Sequence, residues 1–369
     1  MPRKEHRILL ITTGGTIAGQ VASDKLDKVM VREAKDFSAI IGRTVDHLNR
    51  KYNLSISIDS HPVCEEDSSN ILPRHWSELA ALVKNKYDDY DSFIIAHGTN
   101  TLGYTCAALS FALANPSKPI ILTGSQVPAG LPGSDGVTNL ENALRVAVWS
   151  FRGRRMKGVL AVFGSHIITG TRVKKDTEFD YDAFKSFGTG SIGRIGRIIN
   201  VNGVNLEKHH SYLETATYPE AYNAETLRCE NEFDMRIVSL TEFPGMSSDY
   251  ISAFVERYEV QGVILRAFGA GDPCTNHVEA FEFLKQRGIP LVVTTQAPNG
   301  NSNFQVNEPG RILKDRKLAI PAYDMSIESI TAKLTWLLPK KRDLGYDKLC
   351  EEMVHDLRGE INVMWEVGV

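Results

Sequence analysis

The chain contains five short runs that are rich in apolar and β-branched residues, with stretches of helical character between them. Runs that do not alternate with polar residues are typical of strands covered on both faces, as in a parallel sheet. Helix start signals stand between the runs, with Pro73 early in "PRHWSELAALVKNKY" and Thr101 ahead of "LGYTCAALSFALA". This alternation predicts right-handed βαβ units and an α/β fold with a doubly wound, mostly parallel sheet. The predicted strands are 8–12, 54–58, 92–97, 119–123 and 158–163.

A second, smaller alternation begins near residue 235. The apolar runs "MRIVSL", "GVILRAF" and "PLVVTT" are each followed by a helical pattern, which starts near Ser247 or Ser248, at Asn276 and at Ser326. Residues before this region are polar and follow neither period, which predicts a connection between domains. The expected organisation is an N-terminal α/β domain with the catalytic motifs over 1–200, a connecting segment over 201–234 and a smaller C-terminal α/β domain over 235–369.

Composition narrows the class of protein without identifying it. The 369 residues are 42% hydrophobic and 24% charged, and the net charge of −3 gives no general reason to expect nucleic acid or a membrane as partner. The densest basic run, "FRGRRMK" from Phe151, is explained more simply by a solvated turn at a helix end than by an RNA-binding patch.

The cysteines and the apolar runs predict a cytoplasmic protein. Five widely spread cysteines with no CxxC pair favour a reducing compartment and give no sign of a metal site. The first apolar run ends after Ile11, short for a signal peptide, and no run approaches the roughly 20 residues of a membrane span. No cofactor motif is present, so we expect no cofactor.

Small hydroxyl residues and glycines follow several predicted strands. Ligands of doubly wound sheets bind beyond the carboxyl ends of the strands, so these segments are the candidates for chemistry. They are "TTGGT" (12–16), "CEEDSSN" (64–70), "HGTNT" (97–101), "TGSQVP" (123–128) and "TGTRVKK" (169–175).

The first of these segments allows two functional interpretations and a plain structural one. Adjacent glycines do not match the GxGxxG pattern of a phosphate loop, while threonine and Gly-Gly are also ordinary in a strand and a turn. A hydroxyl such as that of Thr16 attacks a carbonyl only if a base removes its proton. His97 is better explained as a buried, hydrogen-bonded ring, and Lys174 or Lys175 would serve if burial lowered its pKa.

The order of these motifs resembles that of the bacterial-type L-asparaginases. "TGGTIAG" after a strand, a later "HGTNT", and "TGSQVP" followed by "SDGVTNL" carry the resemblance, which fits the cytoplasmic type I branch. It extends over nearly the whole chain, through "FPGMSSD" and "GVILRAFGAG" to the late "LRGEI".

The resemblance implies a role for individual residues. Thr16 corresponds to the nucleophile, while Thr99, Asn100 and Lys175 correspond to a threonine, acid and lysine triad. Seven further residues correspond to positions that bind the substrate in the family. Among them, Ser68 would hold the α-carboxylate of the substrate, and the glycines would leave room for a small amide. The seven residues are Gly15, Asp67, Ser68, Ser69, Gly98, Ser125 and Asp272.

Three positions depart from the family pattern. Asn100 stands where the family has an acid, and Asp272 stands where it has the asparagine of a GxGN turn, so the two are either a compensating exchange or independent losses. No tyrosine occurs between Thr16 and Tyr52, although the family's mobile loop carries one that helps to activate the nucleophile. Lys25 or Lys28 is a candidate replacement, or the activation differs.

The leading expectation is therefore an amidohydrolase that converts L-asparagine to L-aspartate and ammonia through an acyl-enzyme on Thr16. Two alternatives stay open because of the departures: hydrolysis of a related small amide, and non-catalytic binding of an aspartate-like ligand. The resemblance also implies a homodimer or homotetramer in which the second domain of one chain completes the site of another.

Overall fold

The computed structural model of the protein describes residues 3–14, 19–21, 29–31, 35–128, 131–214 and 226–362. By its internal contacts the chain divides into two compact units. The first consists of Met1–Ser186 and Gly190–Asn231, and the second of Phe187–Thr189 and Glu232–Val369.

The first unit contains both helices and strands, and all five strands predicted for it are present. Its helices are α1 Lys35–Tyr52, α2 Pro73–Asn85, α3 Leu102–Ala112, α4 Gly136–Ala147 and α5 Gly203–Glu214. Its strands are β1 Lys4–Thr12, β2 Gly19–Val21, β3 Val29–Val31, β4 Leu54–Pro62, β5 Ser92–Ala96, β6 Leu113–Ala114, β7 Pro119–Thr123, β8 Ser150–Phe151, β9 Arg154–Arg155, β10 Gly158–Phe163, β11 His166–Thr169, β12 Val173–Lys175, β13 Phe184–Ser186, β14 Gly193–Ile195, β15 Ile199–Val201 and β16 Arg228–Cys229.

An eight-stranded sheet forms the centre of this unit, in the order β15-β14-β11-β10-β7-β5-β1-β4. The five strands from β10 to β4 are mutually parallel, and β11, β14 and β15 extend the edge in antiparallel fashion. Ile8 and Leu10 belong to a core cluster shared with α1 and α4, while Leu9 and Ile11 face the other way and are also buried. Burial on both faces explains why β1, β5, β7 and β10 have apolar residues at consecutive positions, whereas the edge strand β4 alternates. The mostly parallel sheet confirms the predicted fold class.

Strand order reverses beside β1, and this position matters for function. The chain runs from β1 to β4 on one side and then crosses to β5 on the other side of β1. In a doubly wound sheet, the crevice beyond the carboxyl ends of two such strands is the usual ligand site. The segments that follow β1 and β5 flank this crevice, and they contain two of the motifs identified in the sequence.

The region predicted as a connecting segment has regular structure of its own. Residues 203–214 form α5, and β16 pairs with β6, so much of 201–231 belongs to the first unit. The basic run from Phe151 falls on the exposed hairpin β8–β9, beyond the end of α4.

The second unit is a smaller α/β structure built on four parallel strands in sequential order. Ser326 caps α9 as predicted, since its hydroxyl accepts a hydrogen bond from the backbone N–H of Ser329 at 3.2 Å. None of the helices in the described ranges is long and apolar enough to cross a membrane. The elements of this unit are β17 Ile237–Thr241, α6 Asp249–Tyr258, β18 Gly262–Ala267, α7 Val278–Gln286, β19 Leu291–Thr295, α8 Glu308–Asp315, β20 Ile320–Pro321, α9 Ile327–Leu337, α10 Lys341–Leu344 and α11 Tyr346–Val354.

A buried ion pair joins α9 to the "LRGEI" segment in this unit. Lys333 Nζ lies 2.6 Å from Glu360 Oε1, and both side chains are 0% exposed. The Glu360 carboxylate also accepts hydrogen bonds from the backbone N–H groups of Leu357 and Arg358, at 3.0 and 2.6 Å. Lys333 further donates to the carbonyl oxygens of Met353 and His355. The motif near the end of the chain is thus held by a charge pair whose partners are both removed from water.

Replacing Lys333 with methionine is expected to lower the free energy of unfolding by about 3–5 kcal/mol, because Glu360 would be left as an uncompensated buried charge. Urea denaturation followed by circular dichroism measures the change. The exposed pair Arg316–Glu282, at 2.9 Å with side chains 58% and 44% exposed, supplies the matched control. Arg316→Met should cost less than about 1 kcal/mol. Equal losses in the two variants would contradict a special role for the buried pair.

Candidate active site

The loop after β5 places a buried histidine at the base of the crevice. The His97 ring is completely buried, with Nδ1 2.7 Å from the carbonyl oxygen of Gly98 and Nε2 2.9 Å from the hydroxyl of Thr105. Burial lowers the pKa of His97 to about 4, so the ring is neutral at pH 7. Both ring nitrogens are engaged within the fold, which agrees with the interpretation of His97 as a structural residue.

The same loop is joined to the segment that follows β4. The Ser68 hydroxyl accepts a hydrogen bond from the backbone N–H of Asn100 at 3.1 Å, and Thr101 Oγ1 donates to the Ser68 carbonyl at 2.6 Å. A Cβ at Gly98 would lie 2.7 Å from Ser68 Cβ and Oγ, so only glycine permits this approach. The Asp67 carboxylate accepts from the backbone N–H of Ser69 at 2.8 Å and caps the short 3₁₀ turn that contains both serines. These contacts bring Asp67, Ser68, Ser69 and Gly98 together.

Lys175 reaches the loop after β5 from the end of β12. Its Nζ donates to Thr99 Oγ1 at 2.9 Å and to Asn100 Oδ1 at 3.3 Å. Burial of the ammonium lowers the pKa of Lys175 from its ordinary value, and the negative charge of Glu178 acts in the opposite direction. Three of the four residues predicted to be catalytic are therefore in mutual contact, and the lysine that contacts Thr99 is Lys175.

The end of β1 enters the crevice beside these residues. The backbone N–H of Thr13 donates to the Ala96 carbonyl at 3.1 Å, and the backbone N–H of Glu66 donates to the Thr13 carbonyl at 3.2 Å. Gly14 has a φ of +86°, and a Cβ there would lie 2.6 Å from backbone atoms of Glu66. Glycine is thus required at the first position of the Gly-Gly turn. Gly15 and Thr16, together with Lys25 and Lys28, lie outside the described residues.

The "SDGVTNL" motif supports the "TGSQVP" loop after β7. The Asp135 carboxylate accepts hydrogen bonds from the backbone N–H groups of Gln126 and Val127, at 2.9 and 3.0 Å. Asn139 donates to the Gly124 carbonyl and accepts from the backbone N–H of Gly164, both at 2.9 Å. The two motifs occur together because the second supplies the hydrogen-bonding groups that the loop of the first requires. Ser125, predicted as a substrate contact, is completely buried in this loop.

The sequence analysis did not identify two residues near Lys175: Gln126, which joins two loops of the site, and Glu178, whose charge acts on the lysine. Gln126 Nε2 donates to the Glu178 carbonyl at 2.8 Å and so joins the loop after β7 to the segment that follows Lys175. An acidic residue three positions after a candidate lysine was the available sequence signal for Glu178. No sequence signal indicated the contact of Gln126, because it is made to a backbone atom.

Asp272 belongs to the second unit. It lies in the turn after β18, where its backbone N–H donates to the Phe268 carbonyl at 2.8 Å. Its carboxylate accepts a hydrogen bond from Asn307 Nδ2 at 2.6 Å. The residues that the structure brings into contact around Lys175 are thus those predicted within the first unit.

Comparison with known proteins establishes the family. A family model described as "Asparaginase, N-terminal" matches residues 7–209, and one described as "Glutaminase/Asparaginase C-terminal domain" matches residues 236–346. The chain belongs to the asparaginase family. It is accordingly an L-asparaginase-like amidohydrolase, as the motifs predicted.

L-asparaginases and amidotransferase subunits are among the proteins that match most of the chain. L-asparaginase 1 of Escherichia coli K12 is 33% identical over 297 residues, which cover 80% of this chain and 82% of that protein. A component of the glutamyl-tRNA(Gln) amidotransferase from Saccharolobus solfataricus is 29% identical over 366 residues, covering 97% of this chain and 77% of that protein. The solved structure of the thermostable L-asparaginase from Thermococcus kodakarensis superposes with a TM-score of 0.80 at 30% identity, covering 97% of this chain and all of that one.

Proposed function

We propose that the protein hydrolyses L-asparagine to L-aspartate and ammonia, with Thr16 as the nucleophile and Lys175 as the base that acts through Thr99. The observation that supports this proposal most strongly is the 2.9 Å contact between Lys175 Nζ and Thr99 Oγ1 beside the strand-order reversal. A lysine whose pKa is lowered by burial is more often in the uncharged form that can act as a base, and this one touches a hydroxyl at the usual ligand site of the fold.

The proposed reaction has two halves, which are the formation of an acyl-enzyme and its hydrolysis. In the first, the Thr16 hydroxyl attacks the side-chain amide carbon of asparagine while its proton passes towards Lys175. As the tetrahedral intermediate collapses, its nitrogen takes up that proton from Lys175 and leaves as ammonia, and an ester remains on Thr16. In the second half, water attacks the ester, aspartate departs and the Thr16 hydroxyl is restored. Backbone N–H groups of the surrounding loops would stabilise the oxyanion of each intermediate.

The substrate is proposed to bind over the joined loops after β4 and β5. Ser68 and Ser69 would contact its α-carboxylate, with Asp67 and the glycines at 15 and 98 lining the space beside it. Ser125 would act by supporting the loop, since its side chain is buried. Asp272 would reach the substrate from a second copy of the chain, which requires a homodimer or homotetramer. We also propose a cytoplasmic location, which accords with five cysteines that form no disulfide.

Ammonia release from a panel of amides tests the proposal. Purified protein would be incubated with L-asparagine, L-glutamine and an N-acylated asparagine, and ammonia would be measured with a coupled glutamate dehydrogenase assay. The highest kcat/KM on L-asparagine is the expected result. A preference for another amide would favour the second candidate function, which is hydrolysis of a related small amide. The observation that favours this candidate is Asn100, a neutral residue at the position where the family has an acid.

Calorimetric titration with L-aspartate, together with the ammonia assay, distinguishes the two hydrolytic functions from non-catalytic binding of an aspartate-like ligand. Aspartate binding without ammonia release from any amide of the panel would show that the protein is a binder and would contradict the proposed hydrolysis.

A further inference from the structure

The amide of Asn100 bridges two groups of the candidate active site. Its Oδ1 accepts a hydrogen bond from Lys175 Nζ at 3.3 Å, and its Nδ2 donates to Ser69 Oγ at 2.9 Å. An aspartate in the same place could accept hydrogen bonds from both partners. The shape of the site therefore accommodates either residue, and the chemical difference between them at this position is one negative charge beside the lysine.

The surroundings of Lys175 in the described ranges supply little negative charge to replace it. Glu178 is the carboxylate that raises the pKa of Lys175, against the larger effect of burial, and it follows on the same segment. Asp176 is paired with Lys185 of β13, and Asp67 is hydrogen-bonded to the N–H of Ser69. Helix α3, which packs against β12, contains no charged residue and has Tyr104 as its one tyrosine. No carboxylate of a described residue forms an ion pair with Lys175.

We propose that Asn100 keeps Lys175 in its uncharged, proton-accepting form at a lower pH than a carboxylate at this position would allow. An asparagine in place of the acid thereby adjusts the protonation of Lys175, because a neutral amide can orient the lysine without stabilising its positive charge. Opposite charges within about 4–6 Å shift a pKa by about 1–3 units, so restoring the carboxylate should have a measurable effect. The catalytic consequence rests on the proposed function, whereas the charge state of Lys175 can be measured without it.

Labelling of the amine by acetic anhydride tests the charge state directly. Only an uncharged amine reacts, so the labelling rate as a function of pH, followed by fragment-ion mass spectrometry after proteolysis, gives a midpoint for Lys175. In Asn100→Asp this midpoint should be at least about one pH unit higher than in the parent protein. The neighbouring Lys174, read from the same peptides, serves as the internal control and should not change. If ammonia is released, the acidic limb of kcat/KM should move by a similar amount.

The variant Asn100→Ala distinguishes charge from packing. It removes both hydrogen bonds and adds no charge, so its Lys175 midpoint should stay within about half a unit of the parent value. An unchanged midpoint in Asn100→Asp, or an equal rise in Asn100→Ala, would overturn the proposal. A shift in Asn100→Asp alone, in a protein that releases no ammonia, would support the inference about Lys175 and contradict the proposed function.

Discussion

Lys175→Met is expected to lower kcat for asparagine hydrolysis by about two to four orders of magnitude, which is the usual contribution of a positioned general base. Methionine keeps much of the aliphatic stem that packs at the end of β12 and removes the amine that contacts Thr99 and Asn100. Folding should therefore be retained while proton transfer is lost. Steady-state ammonia release, with circular dichroism as the check on folding, measures the effect.

Lys174→Met is the matched control for this experiment. Successive residues of a strand point to opposite faces, so the neighbouring lysine of β12 cannot occupy the place of Lys175. Its replacement should leave kcat within about threefold of the parent value. L-aspartate should still bind to Lys175→Met, since the proposed role is in proton transfer. A kcat and pH profile of Lys175→Met equal to those of the parent would remove Lys175 from the mechanism.

Thr16→Ala is expected to abolish turnover, with a loss of at least about three orders of magnitude in kcat, because loss of a covalent nucleophile leaves only binding and oxyanion stabilisation. The expectation rests on the position of Thr16 in the family motif and on the course of the chain from β1 through Gly14 beside the loop after β5. Ammonia release over long incubation gives the residual rate.

Thr16→Ser keeps a hydroxyl at the same position and should retain measurable activity, which separates loss of the nucleophile from general damage. Intact-protein mass spectrometry after rapid acid quench should show the added mass of an aspartyl ester in the parent protein and none in Thr16→Ala. Near-normal turnover by folded Thr16→Ala would assign the nucleophile to another residue.

Two of the three departures from the family pattern, Asn100 and Asp272, differ in what the structure shows about their partners. Asn100 has defined partners in the first unit, which is why it supports an inference about Lys175. Asp272 has a defined partner in Asn307 within the second unit. Its role as a compensating acid stays a prediction, and the oligomeric state of the enzyme is the measurement on which that role depends.

The fold class and the positions of the main strands along the chain could be predicted from the amino-acid sequence. Runs rich in apolar and β-branched residues predicted five strands in the first unit, and all five are present. Every position of β5, β7 and β10 is buried, because both faces of these strands are covered, whereas the edge strand β4 alternates between more and less exposed positions. Helix caps such as Ser326 were also readable, since capping is a local interaction. The polar sequence of 203–214 concealed α5 because its apolar period is weak.

Contacts between side chains that are distant in sequence could be identified only from the folded structure. Lys175 contacts Thr99 across 76 residues of sequence, and the adjacent Lys174 was an equal candidate until the pleat of β12 placed one of the two at the loop. The support of the loop after β7 by Asp135, and the bridge from Asn100 to Ser69, likewise depend on strands that become neighbours only when the sheet forms. Periodicity records the burial of each position, whereas contacts between distant residues depend on strand order and register, which local sequence does not encode.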